Sequence, residues 1–273
     1  MTYKEIYEQI KTKGSFLCVG LDSDEKKLPH SVASLENAQF EFNKRIIDAT
    51  APYAVAYKIN TAFYEAAGAS GFAQLQRSAE YIKENYPDIF LIADAKRGDI
   101  GNTAKLYARA FFETMPFDAV TLAPYMGSDS IRPFLEYEGK WAIILALTSN
   151  ASATDFETLY TTDGDALTLM YERVIKKANS LGGKDNIMFV AGATRPEMLG
   201  RIRELAPDNF LLVPGVGAQG GTVADVAEYG RNKSCGLLVN SSRGVIFASS
   251  SDDYAEAAAA SAKSLAESMK QFV

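Results

Sequence analysis

The chain is organised around one stretch of sequence, which reads Leu91-Ile92-Ala93-Asp94-Ala95-Lys96-Arg97-Gly98-Asp99-Ile100-Gly101-Asn102-Thr103. With Ile89 and Phe90 it opens as an apolar run, the pattern of a strand that is buried on both faces. Side chains alternate along a strand, so Asp94 and Lys96 are predicted to point the same way. Opposite charges at the end of a buried strand are costly unless they hold each other, so they mark either a structural ion pair or a reactive site.

The second half of this stretch leaves the strand. Gly98 lets the backbone turn, and Asp99 is carried onto a loop. A helix is predicted over residues 103–114, with Asn102 or Thr103 as its N-cap, because both side chains can accept a hydrogen bond from the first turn.

Composition limits the classes of function. The 273 residues are 47% apolar, which suits one barrel domain of roughly 250 residues. A net charge of −6 argues against binding to nucleic acid, and the single histidine, His30, rules out a histidine triad or a His-rich metal site. Cys18 and Cys235 lie in apolar runs and are expected to be buried thiols. Because no apolar run approaches ~18 residues and the N-terminus does not resemble a signal peptide, we expect a cytoplasmic protein without membrane contact.

Short apolar strands alternate with helices along the whole sequence. The predicted strands cover residues 16–21, 54–60, 89–93, 119–122, 141–147, 187–191, 210–213 and 236–239. The predicted helices cover residues 2–13, 36–49, 61–67, 71–86, 103–114, 128–138, 164–180, 195–205, 222–229 and 252–270, with a long irregular loop over 148–163. Eight such units predict the α/β class and a single (β/α)8 TIM barrel over residues 1–273, preceded by a short N-terminal helix. An open doubly wound sheet is the alternative, because periodicity does not distinguish the two.

Polar residues gather just after the apolar runs, where a barrel would bring them to one mouth. They are Asp22, Lys58, Asn60, Asp94, Lys96, Ser149, Thr194, Gln219 and Arg243. After the seventh strand, residues 214–221 form a Gly-rich loop that runs into a helix, where backbone N–H groups can approach an anion. After the eighth, residues 240–244 add Arg243, whose guanidinium can grip a phosphate. These two loops are the usual phosphate site of a barrel, although tight turns and a surface arginine would give the same pattern.

These motifs resemble the orotidine 5'-phosphate decarboxylase family. The string over residues 94–103 is similar to the longer bacterial branch of that family. Further similarity lies in Tyr57-Lys58-Ile59-Asn60, in Gly20-Leu21-Asp22, in Thr148-Ser149-Asn150 and in the two phosphate loops. The resemblance spans positions 20 to 244, and residues 151–163 have no role that it assigns.

The resemblance implies a function and a set of site residues. It implies decarboxylation of orotidine 5'-monophosphate to UMP and CO2 in pyrimidine synthesis, without a metal or an organic cofactor. Lys58, Asp94, Lys96 and Asp99 would form a catalytic array of alternating charge, in which Lys96 stabilises a ring carbanion and protonates it. The substrate-binding residues would be Asp22, Ile100, Thr103, Ser149, Asn150, Pro214, Gln219 and Arg243. Asp99, Ile100 and Thr103 would come from the partner subunit, which implies a homodimer with shared active sites.

Three other functions remain open from the sequence. Magnesium-dependent sugar-phosphate enzymes of the same barrel group use a similar Asp-x-Lys-x-x-Asp motif, and a Schiff-base aldolase would use Lys58 or Lys96. A catalytically silent barrel could bind a nucleotide as a sensor, although it would not need all four charged residues.

Overall fold

The computed structural model describes residues 1–163, 166–192, 196–216 and 221–273. Its strands are β1 (Leu17–Gly20), β2 (Ala54–Asn60), β3 (Phe90–Arg97), β4 (Ala119–Leu122), β5 (Trp141–Leu147), β6 (Tyr160–Asp163), β7 (Ala166–Leu169), β8 (Ile187–Ala191), β9 (Leu211–Pro214) and β10 (Leu237–Ser241). Eight of them form a closed parallel barrel in the order β1-β10-β9-β8-β5-β4-β3-β2. The predicted (β/α)8 barrel is therefore confirmed, and the open sheet is wrong.

Helices alternate with the barrel strands. The longer ones are Tyr3–Lys13, Ala38–Thr50, Gly68–Asn85, Gly101–Arg109, Met170–Asn179, Pro196–Leu205, Val223–Gly230 and Tyr254–Met269. Single turns of α-helix lie at His30–Ala33, Ala62–Glu65, Arg132–Leu135 and Arg243–Ile246. Turns of 3₁₀-helix lie at Glu25–Lys27, Pro124–Ser130, Ala151–Asp155 and Lys270–Phe272, and a π-helical turn at Ala110–Thr114. The predicted helices over 128–138 and 252–270 are thus each two helical pieces, of which the first pair begins earlier than predicted, at Pro124, and the second begins slightly later, at Tyr254.

The N-terminal helix is the short helix expected from the sequence. Thr2 caps it, because its hydroxyl accepts from the backbone N–H of Glu5 while the Glu5 carboxylate accepts from the N–H of Thr2. Ile6 and Ile10 are buried within the same apolar core as the barrel strands. Gly14 ends the helix with a φ of 57°, a conformation that glycine adopts at little cost.

The predicted long helix over residues 164–180 is wrong in its first part. Strands β6 and β7 form a separate antiparallel hairpin, and the helix begins only at Met170. The hairpin reverses the usual pattern, since Leu167 is exposed while Thr168 is buried and donates to the Glu172 carboxylate. The expected irregular loop over 148–163 accordingly contains a 3₁₀ turn and the first strand of this hairpin.

The helix after β3 also begins differently from the prediction. It starts at Gly101, with Ile100 in the N-cap position and no side-chain cap, so neither Asn102 nor Thr103 caps it. The Asp99 carboxylate instead accepts from the N–H of Ile100, at 2.8 Å. Strand β3 is longer than expected and extends through Lys96 to Arg97, with an irregular register against β4.

Among the described residues, none of the helices combines the length and the apolarity that a membrane crossing requires.

Candidate active site

A cavity of about 720 Å³ opens at the end of the barrel where the strands finish. Ligand pockets typically have volumes of roughly 300–1,000 Å³, so this one has room for a nucleotide-sized ligand. Most of its polar lining comes from the ends of five strands, namely Asp22, Lys58, Asn60, Asp94, Lys96, Thr148, Ser149, Asn150, Asn240, Ser241, Ser242 and Arg243. The structure therefore brings together charged residues that are more than 200 positions apart in the sequence.

Lys58 lies at the bottom of this cavity, near the end of β2. Only 5% of the residue is exposed. Its Nζ lies 2.9 Å from Oδ2 of Asp94 and 3.4 Å from Oδ1 of Asp22. Asp22 follows β1, where the N–H of Leu21 donates to the Lys58 carbonyl. The first three strand ends are therefore joined by one buried ammonium group.

Asp94 is the centre of the charge array. Its Oδ2 accepts from Lys58, and its Oδ1 accepts from Lys96 Nζ at 2.6 Å. The hydroxyl of Thr121, at the end of β4, also donates to Oδ1 at 3.0 Å. The predicted pairing of Asp94 with Lys96 is thus present, but Lys96 has a φ of 47° and does not continue a regular strand.

The two ammonium groups fix the charge of Asp94. Burial alone would raise the pKa of this carboxyl, but Lys58 and Lys96 outweigh burial and hold the pKa at about 2. Burial alone would lower the pKa of Lys58, but Asp94 and Asp22 raise it above its ordinary value. Lys58 and Asp94 are consequently both ionised at neutral pH.

The two lysines differ in exposure. The side chain of Lys96 is 50% exposed, whereas that of Lys58 is 6% exposed. Lys58 is fixed between two carboxylates, whereas Lys96 pairs with one carboxylate among the described residues and lines the open cavity. Lys96 is therefore the ammonium group that a bound ligand can meet directly.

The residues that the sequence predicts to bind phosphate lie at the end of β9 and after β10. Pro214, Gly215 and Arg243 line the cavity, and Arg243 is exposed as the first residue of a helical turn. A Cβ on Gly20 would meet the Ser242 hydroxyl at 1.9 Å, so β1 needs glycine here to pass beneath the loop that carries Arg243. The predicted site residues Gln219 and Thr194 lie outside the described residues.

The segment Thr148-Ser149-Asn150 lines the opposite wall. Glu157 holds it, because its carboxylate accepts from the backbone N–H of Thr148 at 2.7 Å and lies 2.8 Å from the Thr148 hydroxyl. Glu157 belongs to the stretch 151–163, for which the sequence suggested no role. An isolated acidic residue in a loop carries no signal that would have identified it.

Three predicted site residues do not reach the cavity of their own chain. Ile100 and Thr103 are exposed, Asp99 is half-buried, and none of them lines the cavity. Conversely, sequence reasoning missed Thr121 and Asn240. Asn240 is 7% exposed, lines the cavity and donates to the Ser242 hydroxyl at 3.2 Å. Thr121 reads as an ordinary member of its strand and Asn240 as part of the loop that carries Arg243, so only the assembled barrel reveals them.

A closed (β/α)8 barrel with a buried array of opposed charges at its C-terminal mouth defines an enzyme of the barrel class. A family model described as the orotidine 5'-phosphate decarboxylase / HUMPS family matches residues 15–260. The chain belongs to this family.

Individual relatives agree with the family match. The orotidine 5'-phosphate decarboxylase of Phocaeicola vulgatus is 50% identical over 273 residues, covering 100% of this chain and 99% of the relative. That of Christiangramia forsetii is 53% identical over 269 residues, covering 98% and 97%. The solved structure of the Leishmania donovani OMP decarboxylase superposes with a TM-score of 0.81 at 35% identity, covering 100% of this chain and 98% of that one. The resemblance seen in the sequence is confirmed.

The ionised state of Asp94 predicts how the stability of the fold depends on pH. An aspartate titrates near ~3.9 in an unfolded chain, whereas Asp94 titrates at about 2 in the fold. Its stabilisation is therefore complete above the unfolded pKa and is lost as the pH falls through the folded pKa. We expect the difference in unfolding free energy between the wild type and Asp94→Asn to shrink by about 2 kcal/mol from about pH 6 to about pH 2.

Denaturant unfolding at several pH values measures this difference, and a ¹³C NMR titration of the Asp94 carboxyl measures its pKa directly. A pH-independent difference between the two proteins, or an Asp94 pKa near its ordinary value, would contradict the electrostatic account.

Proposed function

We propose that this chain decarboxylates orotidine 5'-monophosphate to UMP and CO2, as a step of pyrimidine synthesis in the cytoplasm. The observation that carries the proposal is the Lys58–Asp94–Lys96 chain of ion pairs at the mouth of a nucleotide-sized cavity. Family membership supports the choice of substrate, because the relatives named above carry the name of this activity. We also take residues 1–273 as one domain, since the N-terminal helix shares the barrel's core.

The chemical problem is a carbanion that has no electron sink. When the bond between the pyrimidine ring and its carboxylate breaks, the electron pair stays on a ring carbon in the plane of the ring. It does not delocalise into the π system, so the enzyme must stabilise the charge electrostatically. An ammonium group placed before the reaction begins stabilises that charge at no cost of reorganisation.

Lys96 is our proposed acid in this reaction. Its Nζ projects into the cavity and is held 2.6 Å from a carboxylate that stays ionised. The carboxylate holds the ammonium group in position, and an ammonium group is the form that donates a proton. The Nζ proton passes to the ring carbon as CO2 leaves, and Lys96 is reprotonated from water at its exposed side.

Asp94 and Lys58 then have supporting roles. Asp94 orients Lys96, and it also faces the substrate carboxylate, whose negative charge it repels in the ground state. Lys58 keeps Asp94 ionised, and its own ion pair with Asp22 holds Asp22 in place for the ribose. We propose that Ser149 and Asn150 bind the pyrimidine and that Pro214, Gln219 and Arg243 bind the phosphate. Neither a metal nor an organic cofactor takes part in this scheme.

We further propose a homodimer in which Asp99, Ile100 and Thr103 complete the partner's site. An exposed apolar surface supports this arrangement. The dimer surface comprises Ile100, Leu106, Tyr107, Tyr125 and Met126, with exposures of 50%, 49%, 36%, 92% and 51%. Large exposed apolar patches mark interaction sites, and a twofold axis would bury this surface against its own copy.

The proposed acid predicts the behaviour of Lys96→Ala. Because this change removes the charge that acts in the transition state, we expect turnover of orotidine 5'-monophosphate to fall by at least about 10³-fold. Binding of UMP should persist. Loss of substrate absorbance measures turnover, and calorimetry measures binding.

Lys11→Ala is the matched control, because Lys11 is an exposed lysine that pairs with Glu8 on the N-terminal helix. It should keep full turnover. Loss of wild-type activity in EDTA would instead support a magnesium-dependent enzyme, and borohydride trapping of the substrate on lysine would support an aldolase. Near-normal turnover by Lys96→Ala would refute its role as the acid.

The shared site predicts complementation between two inactive variants. Lys96→Ala and Asp99→Asn each remove one residue from every site of their homodimers. In a mixed dimer, one site lacks both residues and the other has both, so a statistical mixture should regain about a quarter of wild-type activity. Co-expression of the two variants with different tags provides the mixed dimer. If Asp99 served its own chain, no activity would return.

The phosphate site predicts a ligand-specific effect of Arg243→Ala. The guanidinium would bind the phosphate through charge-assisted hydrogen bonds, so we expect UMP affinity to fall about 10- to 100-fold. Affinity for uridine, which lacks the phosphate, should not change. Calorimetric titration of both ligands measures this, and Arg243→Lys should lie between the two proteins because it keeps the charge but not the bidentate geometry. Equal losses for UMP and uridine would remove Arg243 from the phosphate site.

A further inference from the structure

Thr121 is a buried hydroxyl in a strand that is otherwise apolar. It lies in β4, whose sequence is Ala119-Val120-Thr121-Leu122, and only 1% of the residue is exposed. A β-branched residue suits a strand, so packing alone would be served equally well by valine. The hydroxyl therefore needs an explanation other than the volume of the side chain.

The hydroxyl joins two residues of the charge array. It accepts from the backbone N–H of Lys96 at 2.9 Å, and it donates to Oδ1 of Asp94 at 3.0 Å. A threonine hydroxyl has one proton and two lone pairs, so it satisfies both contacts at once. The directions are fixed, because the Lys96 N–H only donates and the ionised Asp94 carboxylate only accepts.

The contact with Lys96 is made where the backbone is strained. Lys96 has a φ of 47°, in the left-handed region that residues with a Cβ seldom adopt. The register between β3 and β4 is irregular between Ala93 and Arg97, so regular strand pairing does not hold Lys96 in place. The Thr121 side chain provides the acceptor that the irregular ladder lacks at this position. Strain of this kind persists only where the surroundings enforce it.

We propose that Thr121 is the positioning residue of the proposed acid: its hydroxyl fixes the backbone of Lys96 and the carboxylate of Asp94 as one unit. This inference rests on the proposed function, because it concerns the placement of the ammonium group that acts in the reaction. Thr121 does not line the cavity, so it acts through Lys96 and Asp94. A shift of about 1 Å in a catalytic group is enough to cost roughly 100-fold in rate.

Thr121→Val and Thr121→Ser test the proposal. Valine keeps the branched shape but removes both hydrogen bonds, whereas serine keeps the hydroxyl. For Thr121→Val we expect kcat to fall about 30- to 100-fold while KM changes less than about threefold, because Lys96 acts mainly in the transition state. Thr121→Ser should stay within about threefold of wild type in both constants.

Thr50→Val is the matched control. Thr50 is also fully buried, and its hydroxyl bonds to the Ile46 carbonyl and the Tyr57 hydroxyl, away from the cavity. It should lower the melting temperature as Thr121→Val does but leave kcat unchanged. The control distinguishes the general effect of losing a buried hydrogen bond from the specific effect of misplacing Lys96.

Crystal structures of the unliganded wild type and Thr121→Val give a readout that does not depend on turnover. We expect Lys96 in the variant to leave the left-handed conformation, or its Nζ to move away from Asp94 Oδ1. An unchanged kcat, or a reduced kcat with Lys96 in its original place, would overturn the inference. If the wild type did not decarboxylate orotidine 5'-monophosphate, the proposed function would fail, and the position of Lys96 in the two structures would still decide the role of Thr121.

Discussion

Asp94 is a buried carboxylate that stays ionised because ammonium groups hold both of its oxygens, and the geometry of the site depends on this arrangement. Removing Asp94 would leave the buried Lys58 ammonium with only its longer contact to Asp22, and breaking a buried pair on one side costs far more than the pair contributes. Four neighbouring barrel strands are needed to build the array, since Asp22, Lys58, Asp94 and Thr121 come from the ends of β1, β2, β3 and β4. Closure of the barrel then places Asn240 of β10 next to β1 and completes the ring.

Much of this could be predicted from the sequence. Eight apolar runs separated by helical segments gave the barrel, because strands buried on both faces carry a strong and regular signal. The pairing of Asp94 with Lys96 followed from their spacing. Thr121 could not be found this way, because threonine is common in strands and nothing in the sequence Ala-Val-Thr-Leu distinguishes it from an ordinary strand residue. Its importance arises from an irregular register between β3 and β4, which depends on pairing rather than on local sequence.

Two of the errors in the predicted elements arise where exposed apolar residues break the pattern expected of a buried core. Within the described part of the chain, β6 and β7 pair with each other and with no other strand, and the hairpin exposes Leu167 while burying Thr168 against Glu172. Hydrophobic periodicity therefore predicts a helix where a hairpin forms. At Ile100 the misplaced N-cap has a related origin, because Asp99 turns back on the N–H of Ile100 and leaves Thr103 exposed. In both places apolar residues that a core pattern would bury, Leu167 and Ile100, are exposed and available for contacts outside the barrel.

The two lysines that share Asp94 are suited to different tasks by their exposure. Lys58 is buried between two carboxylates that raise its pKa, so it keeps its proton and acts as a fixed positive charge. Lys96 pairs with Asp94 and is half exposed, so its ammonium group is open to the cavity, as the proposed role of the acid requires. Its left-handed backbone lifts it out of the regular strand, and the Thr121 hydroxyl holds it there. A regular strand would point both lysines into the same buried interior, and the irregularity at Lys96 separates the exposed ammonium group from the buried one.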